Sequence, residues 1–382
     1  MKKFGLFLVL IAIAAMCLLI PVSASATEPV LDIKAKGCVL LDGVNGDIIY
    51  QQNADSKCYP ASTTKIMTLV LVLEALDSGK ISLKDQVTTS QEAASMGGSQ
   101  VYLYEGEKRT VDEMIIAISV GSGNDASVAM AEYVAGSTQG FVTMMNEKAK
   151  ELGMTNTNFC NPHGLHDDNH YTTAADMAKL ALYAVKVPKF LQYTSIYEYD
   201  FRPDPRPLKL WNTNRLLKWY EGCDGMKTGY TPEAGRNLVA SAQKDGLRLI
   251  SVVFGVAEAK GHFTESMKLL NYGFNKFQFK SVYPAGSVID KIAVGKGRQD
   301  QVELIVKNEV GIMTEKGQEP KISLQMKVPA SIEAPVQAGQ VIGELELFKD
   351  GQLLGTYQLV AKEDVAKGNL FRTWKKFFMV WQ

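Results

Sequence analysis

Pro60-Ala61-Ser62-Thr63-Thr64-Lys65-Ile66-Met67-Thr68-Leu69-Val70-Leu71-Val72-Leu73 begins polar and then turns apolar on nearly every side. A helix with that pattern has no solvent face, so it belongs at the centre of a fold with other elements packed around it. At its first turn, residues three apart share a face, which brings the Ser62 hydroxyl and the Lys65 amine into one space. A serine is a poor nucleophile without an adjacent base, and a lysine serves as that base when burial or a nearby cation lowers its pKa. The amide groups at the helix start favour a developing oxyanion.

The spelling Ser-x-x-Lys selects nothing alone, because Ser241-Ala242-Gln243-Lys244 repeats it. That copy follows Leu238-Val239-Ala240 and meets a Lys244-Asp245-Gly246 turn leading into Leu247 to Val256, a β-hairpin pattern. On a strand, a spacing of three sends the two side chains to opposite faces, so the second copy is set aside.

Outward from the central stretch, Met1 to Ala26 carries Lys2 and Lys3, an apolar run from Phe4 to Ile20, and Ala24-Ser25-Ala26. This is the layout of a cleavable secretory signal, and it predicts export. The full chain has 382 residues with 41 basic and 41 acidic side chains. Loss of residues 1–26 removes Lys2 and Lys3 and no acid, leaving 39 basic against 41 acidic side chains in 356 residues. No basic excess for nucleic acid exists, and the length predicts two domains. Cys38, Cys58, Cys160 and Cys223 have neither metal-site nor disulfide-framework spacing, so buried free thiols are expected.

Cys38 to Asp42 and Ile48 to Gln52 flank Val44-Asn45-Gly46, a hairpin signal. Ser82 to Ser99 is polar, broken by Gly97-Gly98, and reads as loop. A helix opens at Thr110 and ends at Gly121-Ser122-Gly123-Asn124-Asp125; Ala126 to Val134, Phe141 to Leu152 and Ala174 to Val185 are helical by period. Asn161-Pro162-His163-Gly164-Leu165-His166-Asp167-Asp168-Asn169-His170 holds three of the four histidines, yet Pro162, Gly164 and Asn169 make it irregular. A polar surface loop is expected there rather than a metal site.

Glu221-Gly222-Cys223-Asp224-Gly225-Met226-Lys227-Thr228-Gly229-Tyr230-Thr231 then leads into the hairpin. Ser62-x-x-Lys65, Ser122-x-Asn124 and Lys227-Thr228-Gly229, in that order, form the trio of penicillin-binding proteins and serine β-lactamases. With Asp224-Gly225-Met226 before the last motif, and with Asn161 to Leu165, Tyr171-Thr172-Thr173-Ala174 and Asn212-Thr213-Asn214-Arg215, the chain resembles the low-molecular-mass penicillin-binding proteins that are D-alanyl-D-alanine carboxypeptidases. The resemblance extends over essentially all of the chain after the signal.

It implies a mixed α/β (α+β) DD-peptidase-like catalytic domain, a five-stranded antiparallel sheet flanked by helices, with neither cofactor nor metal. It also implies an acyl-enzyme: Ser62 attacks the bond between the last two D-alanines of a peptidoglycan stem peptide, and β-lactams acylate the same serine. Lys65 takes the serine proton and Ser122 relays one to the leaving amine. Asn124 holds Lys65 and a substrate carbonyl. Lys227 raises the local positive potential and attracts a carboxylate, to which Thr228 donates. Gly229 lets the substrate approach the strand edge, and the Tyr230 and Ser62 amides form the oxyanion hole. Relatives carry an arginine after the hairpin where this chain has Lys260-Gly261-His262-Phe263, so His262 is the candidate substitute, more so if protonated.

Rival readings separate on sequence features. A class A β-lactamase uses a glutamate before the Lys-Thr-Gly strand to activate water, and Asn156 to Asn169 contains none. A wall-binding or sensing protein acylated without turnover would keep the trio, while a zinc D,D-peptidase would use the histidine loop.

Past Tyr283-Pro284, Val288 to Val294, Gln301 to Val306, Ile322 to Val328 and Val341 to Phe348 read as strands of a small all-β sandwich, with a turn at Lys349-Asp350-Gly351. Finally, positions 370, 371, 374, 377, 378 and 381 place apolar residues on one helical face, with Arg372, Lys375 and Lys376 opposite. That is an interfacial helix for a membrane surface. The expected division is 1–26 signal, 27–283 catalytic domain, 284–364 β-domain and 365–382 terminal helix.

Overall fold

The computed structural model describes residues 31–203 and 206–368. The expected signal at 1–26 and the amphipathic segment at 369–382 lie outside the described residues.

The first hairpin forms as expected, from β1 (Gly37–Asp42) and β2 (Ile48–Gln52). Gly46 takes φ +86°, a conformation glycine adopts freely. The organising helix α1 is shorter than its apolar pattern suggests: it spans Lys65–Asp77, and Ala61–Thr64 form a 3₁₀ turn before it. Ten of its thirteen residues are buried, so it is central.

Around α1 stand α2 (Val111–Ser119), α3 (Asn124–Ala135), α4 (Thr138–Glu151) and α5 (Ala174–Ala184). Their starts are written locally. Thr110 and Glu113 make a capping box for α2, and Ser137 and Thr173 accept backbone N–H groups at the starts of α4 and α5. The segment read as loop before Ser99 carries a short strand, Gln86–Thr88, and a single helical turn, Gln91–Ala94.

Strands β3 (Cys223–Thr231), β4 (Gly235–Lys244) and β5 (Leu247–Val256) complete a five-stranded antiparallel sheet in the order β2-β1-β5-β4-β3, and helix α6 (Gly261–Lys276) packs on it. The second Ser-x-x-Lys falls on β4 with Ser241 buried and Lys244 turned outward, as the strand period requires.

The remainder is all β. Strand β6 (Phe277–Tyr283) pairs with β9 (Val310–Glu315) rather than closing the preceding half, because Phe277 to Tyr283 runs in register with Glu315 to Val310. The other strands are β7 (Val288–Gly295), β8 (Gln301–Val306), β10 (Ile322–Lys327), β11 (Ser331–Glu333), β12 (Val341–Lys349) and β13 (Gln352–Ala361). They form a six-stranded sheet in the order β10-β12-β13-β8-β7-β11. Val310 and Ile312 of β9 share a core with Val306, Leu345, Leu347 and Leu359, so the two sheets bury one interior.

One expectation fails here. Residues 365–368 do not begin a helix: Val365 is buried in the β core and bridges Val336, while Lys367 bridges Gly297. Val365 belongs to the core with Ile292, Val294 and Val302, and its burial ties this stretch to the β-domain. The thiols depart from expectation as well. All four described cysteines are free, but only Cys38 and Cys58 are buried, with Cys160 and Cys223 partly exposed.

Candidate active site

The 3₁₀ turn at Ala61–Thr64 eclipses residues three apart, and this sets Ser62 over Lys65 at the mouth of α1. Lys65 Nζ lies 3.1 Å from Ser62 Oγ. The same nitrogen donates to Asn124 Oδ1 and to the His163 carbonyl, each at 2.7 Å. These two acceptors take two of the amine hydrogens, so a neutral amine directs its lone pair at the serine.

The electrostatics favour that neutral form. Burial pushes the Lys65 pKa well down, the Lys227 charge pushes it further, and Asp125 opposes both. Lys227 is itself buried, which brings its pKa to about 7. A nucleophile and a base in hydrogen-bond reach, with the base held by further groups, is an arrangement competent for acyl transfer.

The trio expected from sequence is brought together around one pocket of about 660 Å³, lined by Ser62, Ser122, Thr228, Gly229 and Tyr230. Ser122 sits in the turn between α2 and α3 at φ +56°. Asn124 begins α3, and its Nδ2 donates to the Gly97 carbonyl at 2.7 Å, so one of its two amide hydrogens is already used. Thr228 Oγ1 lies 2.6 Å from Thr213 Oγ1.

Gly229 has a different reason from the one expected. A Cβ there would stand 2.7 Å from the Pro60 carbonyl and 3.0 Å from the Ser62 nitrogen, so the missing side chain lets β3 lie against the nucleophile turn itself. Asn237 on β4 reinforces that seam by donating to the Tyr59 and Pro60 carbonyls.

The histidine loop is a polar surface loop only in part: residues 166–169 are exposed, but its two ends turn inward. His163 and His170 are buried, and the loop forms the floor beneath Lys65. The Cys160 N–H donates to His170 Nδ1 at 3.0 Å, which leaves Nε2 to carry the ring proton and donate to Thr64 Oγ1 at 2.8 Å. Burial holds the His163 pKa down at about 3 and the His170 pKa at about 4. Among the described residues no three His, Cys, Asp or Glu side chains group as a metal site.

His262 lines the pocket, but it does not supply a cation: burial and then the Arg236 charge lower its pKa to about 4. Besides Lys227, positive charge at the pocket comes from Arg215, Arg236 and Lys260, to which the sequence reading gave no role. Arg236 is packed over the Tyr230 ring at 4.9 Å, and its Nη1 donates to the Ala257 carbonyl. A signal existed for Arg236, since the β3–β4 hairpin puts it opposite Tyr230 in register. Thr213 and Arg215 stood in the Asn212 to Arg215 stretch without an assigned role.

Comparison with known proteins agrees with this geometry. The family model described as D-alanyl-D-alanine carboxypeptidase matches residues 22–258, and the model for the C-terminal domain of penicillin-binding protein 5 matches residues 277–367. The chain is 43% identical over 351 residues to the Bacillus subtilis D-alanyl-D-alanine carboxypeptidase DacF, covering 91% of this chain and 90% of that one. It is 35% identical to DacA of Escherichia coli over 349 residues, covering 89% and 85%. Among solved structures, penicillin-binding protein 5 of Haemophilus influenzae superposes with a TM-score of 0.67 at 36% identity, over 88% of this chain and 98% of that one. An ampicillin-bound penicillin-binding protein of Listeria monocytogenes matches with a TM-score of 0.58 at 31% identity, over 64% and 100%. The chain therefore belongs to the D-alanyl-D-alanine carboxypeptidase family and is a serine-type carboxypeptidase.

Proposed function

We propose that this pocket removes the terminal D-alanine from peptidoglycan stem pentapeptides through an ester on Ser62. Lys65 accepts the Oγ proton as the serine attacks the penultimate D-alanyl carbonyl. The oxyanion faces the Ser62 and Tyr230 amides. Ser122 gives its proton to the amine and takes the one held by Lys65 as the C–N bond breaks, and D-alanine leaves. Water then attacks the ester, giving its proton to Lys65, which returns it to Ser62 Oγ as the ester bond breaks. Asn124 holds Lys65 and the substrate amide, while Lys227, Thr228 and Arg236 face the terminal carboxylate. A β-lactam would follow the first half of this course and stall at the ester.

The observation that carries the reading is the placing of Lys65 Nζ 3.1 Å from Ser62 Oγ with two further acceptors at 2.7 Å. Mass spectrometry after incubation with penicillin, and separately with a D-Ala-D-Ala pentapeptide, tests it. A penicilloyl adduct on the Ser62 peptide and loss of one alanine are expected, both absent in Ser62→Ala. An adduct without alanine release would make the protein a β-lactam-acylated binder instead.

The same reading places the enzyme outside the cytoplasm. Its support is the signal-like 1–26 and the basic, aromatic amphipathic pattern near the end of the chain, which would tether the catalytic unit to the membrane surface facing the wall. The pairing of β6 with β9 supports ending the catalytic domain at residue 276 and the β-domain at 368. Truncation after residue 368 should move the protein from the membrane to the soluble fraction; retention on membranes would remove the tether.

A further inference from the structure

Two exposed tyrosines, Tyr102 and Tyr104, follow shortly after Ser99, which lines the pocket. From 101 to 104 the chain alternates, with Val101 and Leu103 buried and Tyr102 and Tyr104 exposed at 66% and 60%. That alternation is enforced. The Asp125 carboxylate accepts from the Val101 and Leu103 N–H groups at 3.0 to 3.2 Å, and Arg202 donates to the Val101 and Tyr102 carbonyls. Tyr102 is held at φ +56°, a region that a bulky side chain rarely occupies. Neither phenol has a polar partner among the described residues. Backbone strain joined to ring exposure is unfavourable for folding alone, and such outliers gather at functional sites.

The position of the loop suggests what the rings meet. Ser99 lines the pocket, and its carbonyl accepts from the Asn124 N–H at 2.7 Å. Arg215, Arg236 and Lys260 line the same pocket, while Ser99 and Ser122 bring no charge. A peptide that gives its free carboxylate to the cations must lead its upstream residues out past Ser99. Tyr102 is three residues further on, within about 10 Å along an extended chain. Glu105, exposed beside them, has no ion-pair partner among the described residues.

Resting on the carboxypeptidase reading above, we propose that Tyr102, Tyr104 and Glu105 form a specificity subsite for a long, amine-bearing side chain on the stem residue preceding the D-alanyl pair. The rings cover the aliphatic stem and face the ammonium, and Glu105 complements its charge.

The test compares release of D-alanine from N-acetylated Lys-D-Ala-D-Ala and Ala-D-Ala-D-Ala by wild type, Tyr102→Gly, Tyr104→Ala and Glu105→Gln. Tyr102→Gly removes the ring while suiting the positive φ, which guards against misfolding. On the lysine peptide each variant should lose about three- to tenfold in kcat/KM, mainly through KM. The alanine peptide should change less than about twofold, as should acylation by benzylpenicillin. Equal losses on both peptides, or slower acylation, would reduce the loop to a support for Asn124 and overturn the subsite. So would an unchanged rate on the lysine peptide. If the wild type is acylated by penicillin yet releases alanine from neither peptide, the carboxypeptidase reading fails and takes this proposal with it.

Discussion

Gly229 lies against Ser62 so closely that a Cβ on it would stand 3.0 Å from the serine nitrogen. The neighbours it would strike are backbone atoms of Pro60, Ser62 and Thr63, which cannot swing aside. Gly229→Ala should force β3 and the nucleophile turn apart. The expected outcome is a loss of about 100-fold in penicillin acylation rate, since misplacing a reacting group by an ångström costs on that order. Stability should fall by about 1–3 kcal/mol, read from the urea midpoint. Normal acylation by this variant would mean that the seam does not set the nucleophile.

The pH dependence of acylation follows from two lysines. Lys65 must be neutral to accept a proton, so the rate rises as pH passes upward through its lowered pKa. Lys227 must be charged to attract the substrate carboxylate, so the rate on a carboxylate substrate falls above its pKa of about 7. Lys227→Gln removes a positive charge that depresses Lys65. Its acid limb should therefore move to higher pH and its basic limb disappear, measured as kcat/KM for a pentapeptide from pH 5 to 10. Lys65→Ala should lose about 10²- to 10⁴-fold, the usual worth of a general base.

Arg236 and His262 make opposite predictions. Arg236→Gln should cost about 10- to 100-fold in kcat/KM on a peptide with a free terminal carboxylate, the worth of one charge-assisted hydrogen bond, and little on the same peptide amidated. His262 is neutral at pH 7 because its pKa is held near 4, so His262→Ala should remove no ionisation between pH 5 and 8. Loss of a wild-type limb in that range would restore His262 as the cation.

Acid should unfold this protein early. His163, His170 and His262 have folded-state pKa values of about 3, 4 and 4, below the 6.5 of an unfolded histidine. Protons therefore bind the unfolded chain first, and the stability present above pH 6.5 is lost as pH falls toward 4. Each of the two most buried histidines accounts for on the order of 3 kcal/mol over that interval. Asp42 opposes them weakly: burial raises its pKa to about 6, so its contribution is largest at low pH and is lost as pH rises from 3.8 to about 6. Urea midpoints should drop steadily from pH 7 to pH 4.5. A flat profile would contradict the burial of the histidine loop.

The acyl-transfer chemistry was legible in one dimension because it is written in short motifs whose local structure follows from periodicity and turn residues. The central apolar run, the capping residues Thr110 and Glu113, the Val44-Asn45-Gly46 turn and the alternating strands of the β-domain each act over a few residues, so local forces decide them. The strand at Phe277–Tyr283 went unread because its partner, Val310–Glu315, lies some thirty residues away and pairing leaves no local mark.

What the chain alone determined was therefore the central helix, the hairpins and the helices before residue 186, the order of the motifs and the candidates for nucleophile and base. Only the tertiary structure decided which irregular segments are interior. The Asn161 to His170 loop, rich in proline, glycine and asparagine, has the composition of a surface turn, yet the buried amine of Lys65 requires acceptors and the His163 carbonyl meets that need. The same long-range packing buries His262 and removes its charge, while it leaves the Arg236 cation at the pocket rim. Burial and field arise from groups far apart in sequence, and for that reason the charge state of this site belongs to the fold and not to the motifs.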